Sequence, residues 1–171
     1  SLNSDNAIKH NDIFSKEHSV WMMLPFIHHL HPKAAISPII IGQLDKDTMN
    51  TLVRNIQPEL NKNTLLIISS DFTHYGTSFN YAPFTNDIPN NIKKVDDTAF
   101  NFIQNKDANG FWQWFHETPT TICGRYAIAI MLACLRNERL ISTHYAQSGE
   151  ITQDWGHSVS YRSAAFGQEL K

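Results

Sequence analysis

A chain of 171 residues is the size of one ordinary domain. At that length roughly 70% of the unfolded surface can be buried, so neither disulfide nor metal staple is required for folding. A composition of 42% hydrophobic and 18% charged residues is that of a globular protein, and a net charge of −2 without a block of like charges gives no electrostatic case for nucleic acid or an anionic membrane. The longest apolar run, Ala127 to Leu135, is about half the length a membrane span requires. "SLNSDNAIKHND" has no signal-peptide core and begins at Ser1 rather than Met, which reads as trimming, cleavage or a cloning remnant. Two cysteines, Cys123 and Cys134, fall in one predicted helix, eleven residues and about 16 Å apart along its axis, too far to bridge. Reduced thiols fit a cytoplasmic protein. Without repeats or linkers, residues 1–171 read as a single domain.

The first predicted helix is "SKEHSVWMMLPFIHHL". Ser15 can cap it, Trp21, Leu24 and Ile27 with Met22 and Phe26 form its stripe, and Pro25 bends it or marks an early end. "AAISPIIIG" reads as a buried strand entered at Pro38. "LDKDTMNTLVRNIQPEL" predicts a helix capped by Asp45, with Met49, Leu52, Val53 and Ile56 on one face. "NTLLIISS" predicts a second buried strand. Two helices follow between Ile88 and Phe115, divided near "KDANG", and "CGRYAIAIMLACLRNE" gives a third, apolar on most faces. "LISTHYAQS" and "HSVSYRSAAFG" alternate as half-covered strands. The expected fold is α/β, with a mixed, largely parallel sheet flanked by helices and antiparallel strands at its end. Ligands bind such sheets at the carboxyl ends of strands, and "SSDFTHYG" lies at one.

Within that loop, Asp71 stands three residues before His74. A carboxylate so placed can orient an imidazole, fix its tautomer and raise its basicity; equally, Asp71 can cap the next turn with His74 at the surface. Glu17 and His18 open the first helix, where they can reach a cleft or stand as a first-turn charge and a solvated ring. Cys123 precedes Gly124 and Arg125. A thiol there suits a metal ligand or a nucleophile, Gly124 allows close backbone approach, and Arg125 can hold an anion bidentately. A small buried cysteine is the other reading, and it is the one Cys134 takes. His28, His29 and His31 are expected in solvent, His144 in core or cleft, and the aromatics of "GFWQWFHE" in helix packing.

"EHSVWMMLPF", "SSDFTHYG", "TICGRYAI" and "YAQSGEITQDWGHSVSYRSAAF", in that order, resemble the Memo family, from about Glu17 to Phe166. In bacteria and archaea that family includes the protein B component encoded beside a radical-SAM partner. The resemblance implies the fold of extradiol (class III non-haem iron) dioxygenases, with a cysteine replacing the metal-binding glutamate and iron or copper as the metal. It implies Cys123 as metal ligand, Asp71 and His74 as an acid and base pair, and His18 as a cleft-lining residue. Two upstream motifs of the family, Pro-His-Ala-Gly and Ser-His-His, supply its metal histidines and do not occur here. The family's "EHSIE" also has Val20 and Trp21 in place of its last two residues. The chain thus resembles the C-terminal part of a family member, either a fragment or a shortened gene product. A sheet stripped of strands would expose apolar edges and call for a partner, its own missing part or a second copy.

Three functions follow. One is a metal-dependent, dioxygenase-like oxidoreductase, with His74 as acid/base oriented by Asp71, Arg125 steadying an anionic substrate and the metal histidines supplied from elsewhere. Another is a non-catalytic scaffold that holds a peptide or protein in the same cleft. The third is a thiol hydrolase with Cys123 as nucleophile and His74 or His18 as base.

Overall fold

The computed structural model describes residues 17–168. The chain divides into two compact units, Ser1–Ser69 and Ser70–Lys171.

In the first unit, helix α1 spans His18–Leu30. Glu17 caps it by accepting the Ser19 N–H at 2.9 Å, and this backbone bond holds its carboxyl below the usual range. The expected cap, Ser15, lies outside the described residues. Pro25 sits inside the helix, so the early end does not occur. Leu24 and Ile27 of the expected stripe are half-buried, while Trp21, Met22 and Phe26 are exposed together with Leu30. Helix α2, Lys46–Ile56, forms as its pattern requires. Asp45 accepts the Thr48 N–H at 2.7 Å, and Met49 and Ile56 are buried. A 3-10 turn, Gln57–Glu59, with proline in its first turn, ends the helix.

Neither "AAISPIIIG" nor "NTLLIISS" forms a strand. A buried strand exists only where neighbours take up its N–H and C=O groups, and no described residue pairs with either run. Ile36, Ile39, Ile40, Leu65 and Ile67 are consequently exposed, Leu65 to 72%.

The second unit begins with a short strand, β1, at His74–Gly76, followed by a 3-10 turn at Thr77–Phe79. Helices α3 (Ile88–Gln104), α4 (Ala108–Glu117) and α5 (Arg125–Cys134) come next. Strand β2 (Arg139–Gln147), the single turn α6 (Gly149–Thr152) and strand β3 (His157–Gly167) complete it. The break between α3 and α4 falls where "KDANG" placed it, with Asp107 capping α4 through the Gly110 N–H at 2.8 Å. Ile92, Ala99, Phe100 and Ile103 of α3, Phe111 and Phe115 of α4, and six residues of α5 form the core. Each of the larger side chains contributes roughly 1.5–3 kcal/mol by leaving water.

The sheet has the order β1-β3-β2, and both pairings are antiparallel. The largely parallel sheet expected from the sequence is therefore absent among the described residues, and with it the feature that would have carried a likeness to extradiol dioxygenases. The antiparallel strands expected at the end of the sheet are present, and connectivity sets their direction. Between β2 and β3 lie only Ser148 to Gly156, enough for an antiparallel return and too few for the crossover that parallel pairing demands. The two apolar runs that would have supplied parallel neighbours stay unpaired.

At the β1 end of the sheet the backbone comes very close to the turn before β3. Gly76 has φ 134°, and a Cβ there would strike the carbonyl oxygen of Gly156. Gly76→Ala combines a forbidden backbone angle with that clash and should cost more than about 1 kcal/mol. Urea unfolding would show a lowered midpoint, and an unchanged midpoint would mean that the approach is relaxed in solution.

Candidate metal centre

The approach to β1 is pinned from three sides. β3 holds it by main-chain bonds, Phe72 N–H to the Ser160 carbonyl and Ser160 N–H to the Thr73 carbonyl, both 2.9 Å. α3 holds it through Asp96, whose Oδ1 accepts the Thr73 hydroxyl at 2.7 Å and the Thr73 N–H at 3.3 Å. The segment before α5 holds it through Thr121, whose hydroxyl oxygen accepts the His74 N–H at 2.8 Å and whose O–H donates to the His74 carbonyl at 3.0 Å. Asp96 is fully buried and also accepts the Tyr145 O–H at 2.7 Å. Burial pushes its carboxyl up, against hydrogen bonds from Ser160, Thr73 and Tyr145 that favour the charge. Burial, then the charge of Asp96, in turn raises the Tyr145 phenol.

This frame brings Asp71, His74 and Cys123 together. One ligand atom from each lies within 4.8 Å of the others, and among the described residues no other such cluster of metal-type donors occurs. His74 Nε2 is 3.4 Å from Asp71 Oδ2. That is ion-pair distance without hydrogen-bond geometry, so Nε2 is a buried polar atom with no hydrogen-bond partner. The Asp71 N–H donates to Cys123 Sγ at 3.2 Å, and Ser70 Oγ lies 3.8 Å from the same sulfur. Ser70 is itself fixed, accepting the Gly124 N–H at 2.9 Å and donating to the Asp71 carbonyl at 2.8 Å. Phe79 covers the His74 ring at 5.1 Å between centroids and stacks on His157 at 4.7 Å.

Cys123 does not stand in a helix with Cys134. It occupies the turn before α5, with Gly124 as the cap residue, where its Sγ accepts the Asp71 N–H and the Gly124 N–H donates to Ser70 Oγ. It is exposed; Cys134 is buried. Arg125 is not part of the cluster: its guanidinium donates to the Ile122 carbonyl at 3.2 Å and lies over the Tyr126 ring at 5.3 Å. His18 is the exposed first residue of α1, in the other unit. His28, His29 and His31 are exposed as expected, and His144 is exposed and so not in the core. The "GFWQWFHE" aromatics pack on one another and on Tyr126, with Phe115 and Tyr126 edge-on at 5.2 Å.

Thr73, Asp96 and Thr121 carry the frame and were not singled out in the sequence. The signal for Asp96 was nonetheless there. It falls at i+4 from Ile92 and i−4 from Phe100, on the buried stripe of α3, where a carboxylate needs partners.

The family model of Memo-like protein matches residues 3–165. The chain belongs to the Memo family. A MEMO1 family protein of Thermococcus kodakarensis is 31% identical over 163 residues, covering 88% of this chain and 56% of the relative. One from Pyrococcus abyssi is 32% identical over 160 residues, covering 86% and 55%. The memo-1 homolog of Caenorhabditis elegans is 29% identical over 177 residues, covering 92% and 51%. The chain thus spans about half the length of the curated Memo relatives it matches. Among the described residues, no helix is long and apolar enough to cross a membrane.

The two thiols of this Memo chain should react very differently. Burial drives the Cys134 thiol up to about 11, against the opposing charge of Arg136, so little thiolate forms there near neutrality. Iodoacetamide at pH 8 should label the exposed Cys123 stoichiometrically and leave Cys134 unlabelled until the pH approaches that value. Equal labelling at pH 8, read by mass spectrometry, would contradict the placement of both.

Proposed function

We propose that this Memo-family chain is an oxidoreductase component whose Asp71, His74 and Cys123 hold a redox-active iron or copper ion. The observation that carries the reading is His74 Nε2, buried, without a hydrogen-bond partner, and turned to the point where a thiol and a carboxylate also converge. The donor chemistry fits. Sulfur, imidazole nitrogen and carboxylate oxygen form a mixed set that iron and copper accept, and three protein ligands leave a position open. The pair expected as acid and base stands, in this reading, among the ligands.

Bound there, iron or copper would supply one-electron chemistry or polarise an oxygen of the substrate. The chain's own groups do the rest. Asp71 and His74 sit three residues apart on a segment held by Thr73 and Thr121, so their separation is set before any ligand arrives. The Asp71 N–H on Cys123 Sγ withdraws charge from the sulfur, which tunes the potential of a metal thiolate. Phe79 packs against the imidazole, and Cys123 is exposed, so the thiol is accessible from solvent.

Elemental analysis of the chain purified without oxygen tests this. About one iron or copper per chain is expected, and Cys123→Ala should weaken uptake at least about ten-fold, the loss typical of a damaged metal site. A wild-type chain that takes up neither Fe(II) nor Cu(I), or a Cys123→Ala variant that binds as well as wild type, would overturn the proposal.

A further inference from the structure

We propose that Asp96 is the positioning residue of this centre, acting through Thr73, which lies between the two donors Asp71 and His74. The inference rests on the metal-holding reading of those residues. Asp96 is fully buried, as is Thr73 at 1% exposure, so their contact is not a surface accident. Its Oδ1 takes both hydrogen-bond donors of Thr73, the hydroxyl at 2.7 Å and the N–H at 3.3 Å. Its Oδ2 is engaged by the Tyr145 hydroxyl at 2.7 Å, which stops the carboxylate from rotating away.

Through Ser160, β3 pairs with the Phe72 N–H and the Thr73 carbonyl, but antiparallel pairing by itself leaves the twist of a strand end free to vary. Two bonds to one buried oxygen fix both the main chain and the rotamer of Thr73. With residue 73 fixed, the main chain on either side of it, which carries Asp71 and His74, has fewer ways to move. The Asp71 N–H then meets Cys123 Sγ, and the His74 N–H meets Thr121. The hydrogen bonds of Asp96 go to Thr73 and Tyr145 and to none of the three donor side chains, so its effect on the centre passes through Thr73.

The test compares Thr73→Val, which keeps shape and removes the hydroxyl, with Thr73→Ser, which keeps the hydroxyl, in the full chain. Asp96→Asn serves as a third variant. Co(II) is titrated as the probe ion, and amide hydrogen exchange is followed without metal. Thr73→Val and Asp96→Asn should weaken Co(II) binding about ten-fold or more and alter its visible spectrum, while Thr73→Ser stays near wild type. In the metal-free chain, Thr73→Val should speed exchange of the Asp71 and His74 amides while the β2–β3 ladder keeps its protection. If Asp96→Asn fails to fold, the valine and serine pair still decides. Wild-type Co(II) affinity and wild-type exchange at Asp71 and His74 in Thr73→Val would overturn the positioning role. If the wild-type chain itself binds no Co(II), the metal reading fails alone, and the exchange pattern decides whether Asp96 sets this geometry.

Discussion

The rest of the second unit depends on the pairing of β3. It is the middle strand, so its main chain serves β2 along nearly its whole length and β1 at its start, and the bonds at Ser160 extend that service back to Phe72. Each such bond contributes only about 1 kcal/mol net, but a buried N–H left without a partner costs about 1–3 kcal/mol. The segment from Phe72 to Gly76 therefore has one arrangement that satisfies its backbone. Asp71, His74 and Cys123 are attached to that segment or reach towards it.

On this base the chain places a group that opposes folding. A buried carboxylate is expensive to desolvate, and the upward push on Asp96 is the sign of that cost. Because its carboxyl is raised in the folded state, the native chain holds that proton more tightly than the unfolded chain does. The stability linked to Asp96 is thus greatest below the ordinary carboxylate range and declines as pH rises through the raised value. The hydrogen bonds from Thr73 and Tyr145 offset part of this. What remains is a constraint on where residue 73 can sit. Asp97 next to it does something simpler: burial raises it, but Lys93 and Arg162, each at 2.5 Å, outweigh that and hold it low.

Local features of the fold could be read from the sequence, and long-range ones could not. The cap Asp45, the buried face of α2 and the break between α3 and α4 depend on neighbours within a few residues, and they formed where the pattern placed them, although α5 starts at Arg125 rather than Cys123. The return of β2 onto β3 is short enough to count as local. The runs at 34–42 and 63–70 have strand composition, but a strand is defined by its partner, and partner choice is not written in the run itself. The same division holds for the centre. Asp71 and His74 share one loop and Cys123 a recognisable turn, so motif order pointed to all three. Thr121 and Asp96 lie 47 and 23 residues from their partners, and only the packing of α3 and the segment before α5 against β1 brings them in.

The central claim is that one point in space is faced by a thiol, an imidazole and a carboxylate. X-ray absorption of the full chain loaded with one equivalent of Cu(I) or Fe(II) tests it most directly. The expected spectrum contains a single sulfur neighbour together with nitrogen and oxygen neighbours, and the sulfur is lost in Cys123→Ala. A shell of light atoms alone in the wild-type chain, unchanged by that substitution, would contradict the claim.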